Sequence, residues 1–144
     1  MLTAGLSYTI ASGVSVSAGY RKIAALLENG AYQKIAIKTK LGHVSLINTF
    51  FIEEQWLDTK LQMRYRFGIT ANMPVTEKMS LSFTEEVFLQ NRGTGFNQNR
   101  ITAKATHKLL KNVELNTGIM HWQFPTVKRW VFILSLSHTI RLQG

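Results

Sequence analysis

Residues 61–72 alternate strictly between apolar and polar or small side chains. Successive side chains of an extended strand point to opposite faces, so an alternating segment predicts a strand with two chemically different faces. The apolar face would carry Leu61, Met63, Tyr65, Phe67, Ile69 and Ala71. The other would carry Gln62, Arg64, Arg66, Gly68, Thr70 and Asn72. The segment is as long as the roughly 9 to 11 residues with which a tilted strand crosses a bilayer.

The same alternation recurs along the whole chain. It is found in residues 2–10, 14–21, 34–41, 44–56, 79–90, 100–108, 113–119 and 130–142. Short turns follow Ile10, Leu41, Asn72 and Leu110, whereas the connections at the opposite ends of the strands are longer or more polar, except the one after Trp56. Residues 93–95 read as the tip of one such loop. The pattern predicts one all-β domain over residues 1–144, an antiparallel up-and-down β-barrel of about nine or ten strands.

Composition excludes several other classes of protein. Charged or polar residues interrupt every hydrophobic run before it reaches the roughly 18 to 20 apolar residues of a spanning helix. The chain has 45% hydrophobic residues and two prolines, so it must fold, and it has no cysteine for disulfides or thiolate metal sites. Its net charge is +9, but the basic residues recur at every second position within strands. This spacing is typical of one sheet face, and we expect no nucleic-acid partner.

Three features favour a membrane barrel, with the lipid bilayer as partner, over a soluble one. The strands are long, and the polar face combines Ser, Thr and Gly with spaced charges, as a hydrogen-bonded lumen requires. Aromatic residues lie near strand ends, as in an interfacial girdle. These aromatics are Tyr8, Tyr20, Trp56, Trp122 and Trp130. Alternation alone does not fix which face points inward, so a soluble lipocalin-like barrel with an apolar ligand stays open as the alternative.

Six residues of the predicted polar face fall on neighbouring strands and form the candidate site. They are Glu53, Gln55, Arg64, Arg66, Glu86 and Arg100. Because inward charges are costly unless paired, the first interpretation is a structural ion-pair network in a lumen filled by side chains. The second is a narrow anion-passing pore or a ligand site, since the face also carries lysines at positions 34, 38, 40, 104 and 108.

No residue pattern predicts catalysis, a metal site or a cofactor. The four histidines, His43, His107, His121 and His138, have no metal-ligand spacing. His138 lies near Ser135 and Ser137, but neighbouring strand positions face opposite ways, which disfavours a hydrolytic arrangement. We therefore expect a structural or interaction role and no enzymatic one.

Four segments, in order, resemble a known family. They are FIEEQW at residues 51–56, RYR at 64–66, EVF at 86–88 and FNQNR at 96–100. In this order they resemble domain-of-unknown-function family 2490, whose members look like outer-membrane barrels of Gram-negative bacteria without an established activity. The resemblance implies an outer-membrane location.

The chain departs from the family pattern at both ends. Family members usually begin with a signal peptide and one further strand, and bacterial barrels normally have an even number of strands. We therefore expect an N-terminal truncation. The terminal strand of the family usually ends on an aromatic residue, whereas here Leu142 is followed by Gln143 and Gly144.

Overall fold

A computed structural model describes residues 2–23, 28–57, 60–91 and 95–138. The nine strands are β1 (Leu2–Ala11), β2 (Val14–Ile23), β3 (Glu28–Leu41), β4 (Val44–Leu57), β5 (Lys60–Pro74), β6 (Met79–Gln90), β7 (Phe96–Leu110), β8 (Val113–Gln123) and β9 (Lys128–His138). The predicted continuation of the last strand to Leu142, and the predicted loop tip at Gly93 and Thr94, lie outside the described residues.

Each strand pairs antiparallel with the next one along the chain, so the sheet order is β1 to β9 without a crossover. The predicted all-β, up-and-down architecture is therefore confirmed, with nine strands. In the described part of the chain, β1 and β9 form the two edges of this sheet. That part contains no helix long and apolar enough to span a membrane.

Two of the short turns contain a glycine. Gly13 has a φ of 79° and Gly42 a φ of 59°, both in the left-handed region that favours glycine. These turns join β1 to β2 and β3 to β4 through two residues each. Such tight connections fix the register of both hairpins.

Successive turns are staggered along the strands. The carbonyl oxygen of Gly13 accepts a hydrogen bond from the amide of Lys38 at 2.6 Å, so the first turn lies beside β3 before that strand ends at Leu41. The carbonyl oxygen of Lys78 likewise accepts from the amide of Lys108, before β7 ends. A stagger that accumulates in one direction tilts the strands, as in barrels, where the tilt is about 35 to 45°.

The two faces of the sheet differ sharply in exposure. Leu6 is 86% and Phe132 83% exposed, and they belong to the apolar face. Further exposed members of this face are Tyr8, Ile10, Phe67, Ile69, Phe83, Trp130 and Leu134. The buried side chains lie on the polar face and are Phe51, Glu53, Gln55, Gln62, Phe88, Gln98 and Asn116. The polar face therefore forms the interior of the fold.

Two glycines make room for an aromatic ring at the start of this interior. Gly5 pairs with Gly19, and Gly19 pairs with Tyr32, so the three share one cross-strand row. A Cβ on Gly19 would lie 2.6 Å from the Tyr32 hydroxyl oxygen and would also meet the carbonyl oxygen of Ala4. The tyrosine ring thus packs over the glycine backbone, in space that a side chain would otherwise fill.

We expect Gly19→Ala to lower the free energy of unfolding by about 1 to 3 kcal/mol, because the added methyl group overpacks this row. The measurement is urea unfolding of the folded chain in detergent. Ser17→Ala is the control, since it removes only a 3.0 Å hydrogen bond to Ser7 on the same face of β2. Equal unfolding midpoints for both variants would contradict the packing of Tyr32 over the glycine pair.

Candidate functional site

Cross-strand pairing brings the predicted polar residues and several aromatic ones into adjacent rows of one face. The opposed pairs are Glu53 with Arg64, Phe51 with Arg66, Arg66 with Phe88, Glu86 with Arg100, and Arg100 with Trp122. Directly opposed residues of an antiparallel pair point to the same side, so these rows define a site that extends from β4 to β8.

Glu53 is the centre of the first cluster. Its side chain is fully buried, with Oε1 2.5 Å from Arg21 Nη2 and Oε2 2.5 Å from Arg64 Nη2. Arg64 Nε donates a second hydrogen bond to Oε2 at 3.0 Å, and Gln55 Nε2 donates to the same oxygen at 3.4 Å. A buried carboxylate is tolerated only with such partners, and a charge-assisted arginine fork is among the strongest available.

The second cluster surrounds Glu86. Arg66 Nη1 lies 3.4 Å from Glu86 Oε1, and both side chains are about one quarter exposed. Arg100 lies opposite Glu86 on the next strand, yet it forms no ion pair with any described residue. Its Nε is shielded from solvent and has no hydrogen-bond partner there. This cluster therefore carries more positive than negative charge.

Aromatic rings and guanidinium groups alternate across the face in what we call the aromatic–guanidinium stack. Its members, in order, are Tyr32, Phe51, Arg66, Phe88, Arg100 and Trp122. The first two rings are parallel, with centroids 5.2 Å apart. The Arg66 guanidinium lies 4.1 Å from the Phe51 centroid and 5.4 Å from that of Phe88. Arg100 lies 4.4 Å from both Phe88 and Trp122.

The stack holds its cations in fixed positions. The negative face of each ring attracts the guanidinium beside it, and the attraction is stronger away from water. Phe88 is only 2% exposed, which places it at the centre of the packed interior. Trp122 is fixed in turn because its Nε1 donates a 2.5 Å hydrogen bond to Gln98 Oε1.

The six residues of the predicted polar network all lie on this face, but in two clusters. Glu53, Gln55 and Arg64 belong to the first, and Arg66, Glu86 and Arg100 to the second. The sequence interpretation missed Arg21 and the rings of Tyr32, Phe51 and Phe88. A detectable signal for two of them was present, because apolar runs interrupt the alternation at residues 50–52 and 87–89.

Four of the five predicted interfacial aromatics lie on the apolar face. They are Tyr8, Tyr20, Trp56 and Trp130, with Tyr8 towards the short turns and the two tryptophans at the opposite end. Trp122 lies on the polar face, opposite Arg100. It therefore belongs to the stack and not to an outer girdle. For the other four, the interfacial role remains a prediction.

The described side chains form no group of three or more His, Asp or Glu suited to a metal ion. Ser137, the serine next to His138, forms hydrogen bonds within the sheet. Its hydroxyl donates to the Glu114 carbonyl oxygen at 3.4 Å and accepts from Asn116 Nδ2 at 3.3 Å.

Glu53→Gln should lower the free energy of unfolding by about 3 kcal/mol, because Arg21 and Arg64 would lose the carboxylate that offsets their burial. Glu54→Gln is the matched control, since the neighbouring carboxylate is exposed on the other face. Its effect should stay within about 0.5 kcal/mol. Denaturant unfolding of both variants in detergent measures the difference, and equal effects would show that the buried cluster does not stabilise the fold.

Comparison with solved structures supports the up-and-down antiparallel architecture. The chain resembles the protein described as "KdgM porin in complex with disordered oligogalacturonate", with a TM-score of 0.71 and 14% sequence identity. The similarity covers 94% of this chain and 74% of that one. At this identity the likeness shows a shared fold.

The sequence comparisons identify a family without an assigned activity. No curated protein sequence matches the chain. The sequence profile of the family described as "Protein of unknown function (DUF2490)" matches residues 1–132, which is most of the chain. The resemblance inferred from segments 51–56, 64–66, 86–88 and 96–100 is therefore confirmed, and the chain belongs to the DUF2490 family.

Proposed function

We propose that this chain is a β-barrel protein of the outer membrane, whose apolar face contacts lipid and whose polar face lines a lumen filled by side chains. One observation carries the proposal: Glu53 is fully buried while Leu6 and Phe132 are more than four-fifths exposed. This is the reverse of a water-soluble fold. The apolar face of a membrane barrel is instead covered by lipid chains.

The same observation weighs against a soluble barrel that carries an apolar ligand. Such a barrel directs its apolar side chains inward, around the ligand. Here the exposed apolar side chains extend across all nine strands, and soluble proteins rarely expose contiguous apolar patches of more than a few hundred Å². A lipid environment removes this cost.

The filled interior supports a structural or interaction role. The aromatic–guanidinium stack runs from β3 to β8, and the Glu53 cluster packs beside it. Small barrels commonly fill their interiors in this way, whereas wide aqueous channels belong to barrels with many more strands. We propose no catalytic step: the Glu53 carboxylate is held by Arg21 and Arg64, and Glu86 pairs with Arg66.

Tryptophan fluorescence tests the orientation of the two faces. In vesicles of brominated phosphatidylcholine, bromine should quench a variant that retains only Trp130 several times more than one that retains only Trp122. The reason is that Trp130 is 65% exposed on the apolar face, while Trp122 is packed against Arg100 on the other. The variants are Trp56→Phe with Trp122→Phe, and Trp56→Phe with Trp130→Phe.

Each result of the quenching experiment has a clear meaning. Strong quenching of Trp130 alone supports lipid contact by the apolar face. A chain that stays in the aqueous phase, with neither tryptophan quenched, contradicts the membrane proposal. A gel on which the unboiled chain migrates differently from the boiled one checks that the barrel is folded in both variants.

A narrow anion-passing pore is the second candidate, favoured by the charge on the polar face. Cross-strand pairing places these cations there: Arg21, Lys34, Lys38, Lys40, Arg64, Arg66, Arg100, Lys104 and Lys108. The acidic residues of the described part of this face are fewer, among them Glu53, Glu86 and Glu114. Excess lumen cations favour anions. The structurally similar porin is described in complex with oligogalacturonate.

Conductance across a planar bilayer separates a filled lumen from an open one. Because Phe88 lies between Arg66 and Arg100, we expect little conductance from the unmodified chain and a clear increase in Phe88→Ala. The current should be anion-selective in a KCl gradient, since the stack's arginines remain. Phe83→Ala, on the apolar face of the same strand, should resemble the unmodified chain. An unmodified chain that conducts as well as Phe88→Ala would favour the pore over the filled lumen.

A further inference from the structure

The polar face contains a cavity of about 240 Å³ next to the aromatic–guanidinium stack. Its polar lining consists of Lys34, Thr49, Arg66, Thr70, Thr84 and Glu86. Gly68 lies in the same rows, opposite Thr49 on one side and Glu86 on the other. A Cβ at this glycine would lie 2.6 Å from Thr49 Oγ1, so the absence of a side chain keeps the floor of the cavity open.

The charges around the cavity are unbalanced. Arg66 is paired with Glu86, at 3.4 Å. Lys34 also lines the cavity and has no ion pair within the described ranges. Arg100, which also forms no ion pair there, lies opposite Glu86 on the next strand. An ammonium group and part of a guanidinium charge are therefore available to an anion in a partly desolvated site, where such interactions are strong.

The threonine hydroxyls add hydrogen-bond capacity. Thr70 Oγ1 and Thr84 Oγ1 lie 3.0 Å apart, and either one is able to donate to the other. Whichever donates, the second hydroxyl keeps its own hydrogen for another acceptor. Thr49 donates a long 3.4 Å hydrogen bond to the Gly68 carbonyl oxygen. The cavity thus combines a free cation with a free hydroxyl donor.

The neighbouring ring limits what kind of molecule fits. Phe51 is stacked on Tyr32 and also lies under the Arg66 guanidinium, so its surface is already occupied by these two partners. A sugar or nucleobase that requires an aromatic platform finds none here. Since a water molecule takes up about 30 Å³ in the liquid, the cavity accommodates a small oxyanion together with several waters.

We propose that this cavity binds a small oxyanion, a carboxylate or phosphate group, between Lys34 and Arg66 and against the Thr70–Thr84 hydroxyl pair. The inference rests on the proposed barrel, in which this face points to the lumen. It names the place in that lumen where the anions favoured by the second candidate, the narrow pore, would bind. Glu86 faces the same cavity and opposes the anion, so the strength of binding depends on how closely Arg66 holds this carboxylate.

The test is calorimetric titration of the full chain, folded in detergent, with sodium acetate and with sodium phosphate. Total ionic strength is kept constant with sodium chloride. Lys34→Gln should weaken binding about tenfold or more, because it removes a charge-assisted hydrogen bond. Glu86→Gln should strengthen it, since the amide keeps a hydrogen-bond acceptor for Arg66 but no longer repels the anion. Lys38→Gln, with the same charge change on the same face of β3 but outside the cavity, should leave binding unchanged.

The two titrants distinguish the possible sources of the anion. Saturable heat with acetate supports a carboxylate ligand, and saturable heat with phosphate alone supports a phosphate group. Absence of saturable binding by a chain that shows the boiling-dependent gel shift overturns the inference but leaves the proposed barrel intact. Equal weakening by Lys34→Gln and Lys38→Gln also overturns it, because attraction would then be general and not local. A chain without the gel shift contradicts the barrel itself.

Discussion

The buried carboxylate of Glu53 sets the strongest constraint on this structure. A carboxylate without solvent is stable only when cations and hydrogen-bond donors surround it. Arg64 reaches it from the adjacent strand β5, but Arg21 reaches it from β2, across the intervening strand β3. Gly30 of β3 stands opposite Arg21, and a Cβ there would lie 3.4 Å from Glu53 Oε1. The glycine therefore leaves the space through which the arginine crosses.

The aromatic–guanidinium stack likewise stabilises charged side chains inside the fold, on the neighbouring strands. Carboxylates are scarce on this face, so rings supply much of the stabilisation that the remaining arginines need. Arg100 shows this most clearly, since its guanidinium lies between Phe88 and Trp122 and has no ion pair among the described residues. Its orientation is fixed by packing on both sides. The interior thus combines fixed guanidinium groups with a small cavity lined by threonines and Lys34.

Much of the fold could be predicted from the sequence, because alternation with period two determines strand, face and antiparallel pairing together. The members of the site were harder to predict. Phe51 and Phe88 are spaced along their strands so that they fall on the polar face. An apolar ring would be expected on the other face. Only the three-dimensional proximity of Arg66 explains their position. Arg21 could not be assigned to Glu53, because the contact spans the intervening strand β3 at Gly30. The face on which Trp122 lies could be predicted, because it is an even number of residues from Asn116 and Gly118 of the polar face. This spacing determines the face more strongly than the position of Trp122 near a strand end.

The Glu53 cluster also has a consequence for how the barrel forms. Its charges come from β2, β4 and β5, with the space provided by β3: the β4–β5 hairpin contains the Glu53–Arg64 pair, and β2 adds the second cation, Arg21. In the proposed membrane barrel, Arg21 without β4 in place would be an uncompensated ion in a nonpolar medium, a state of high free energy. An intermediate of the proposed barrel that contains β2 without β4 is thereby disfavoured.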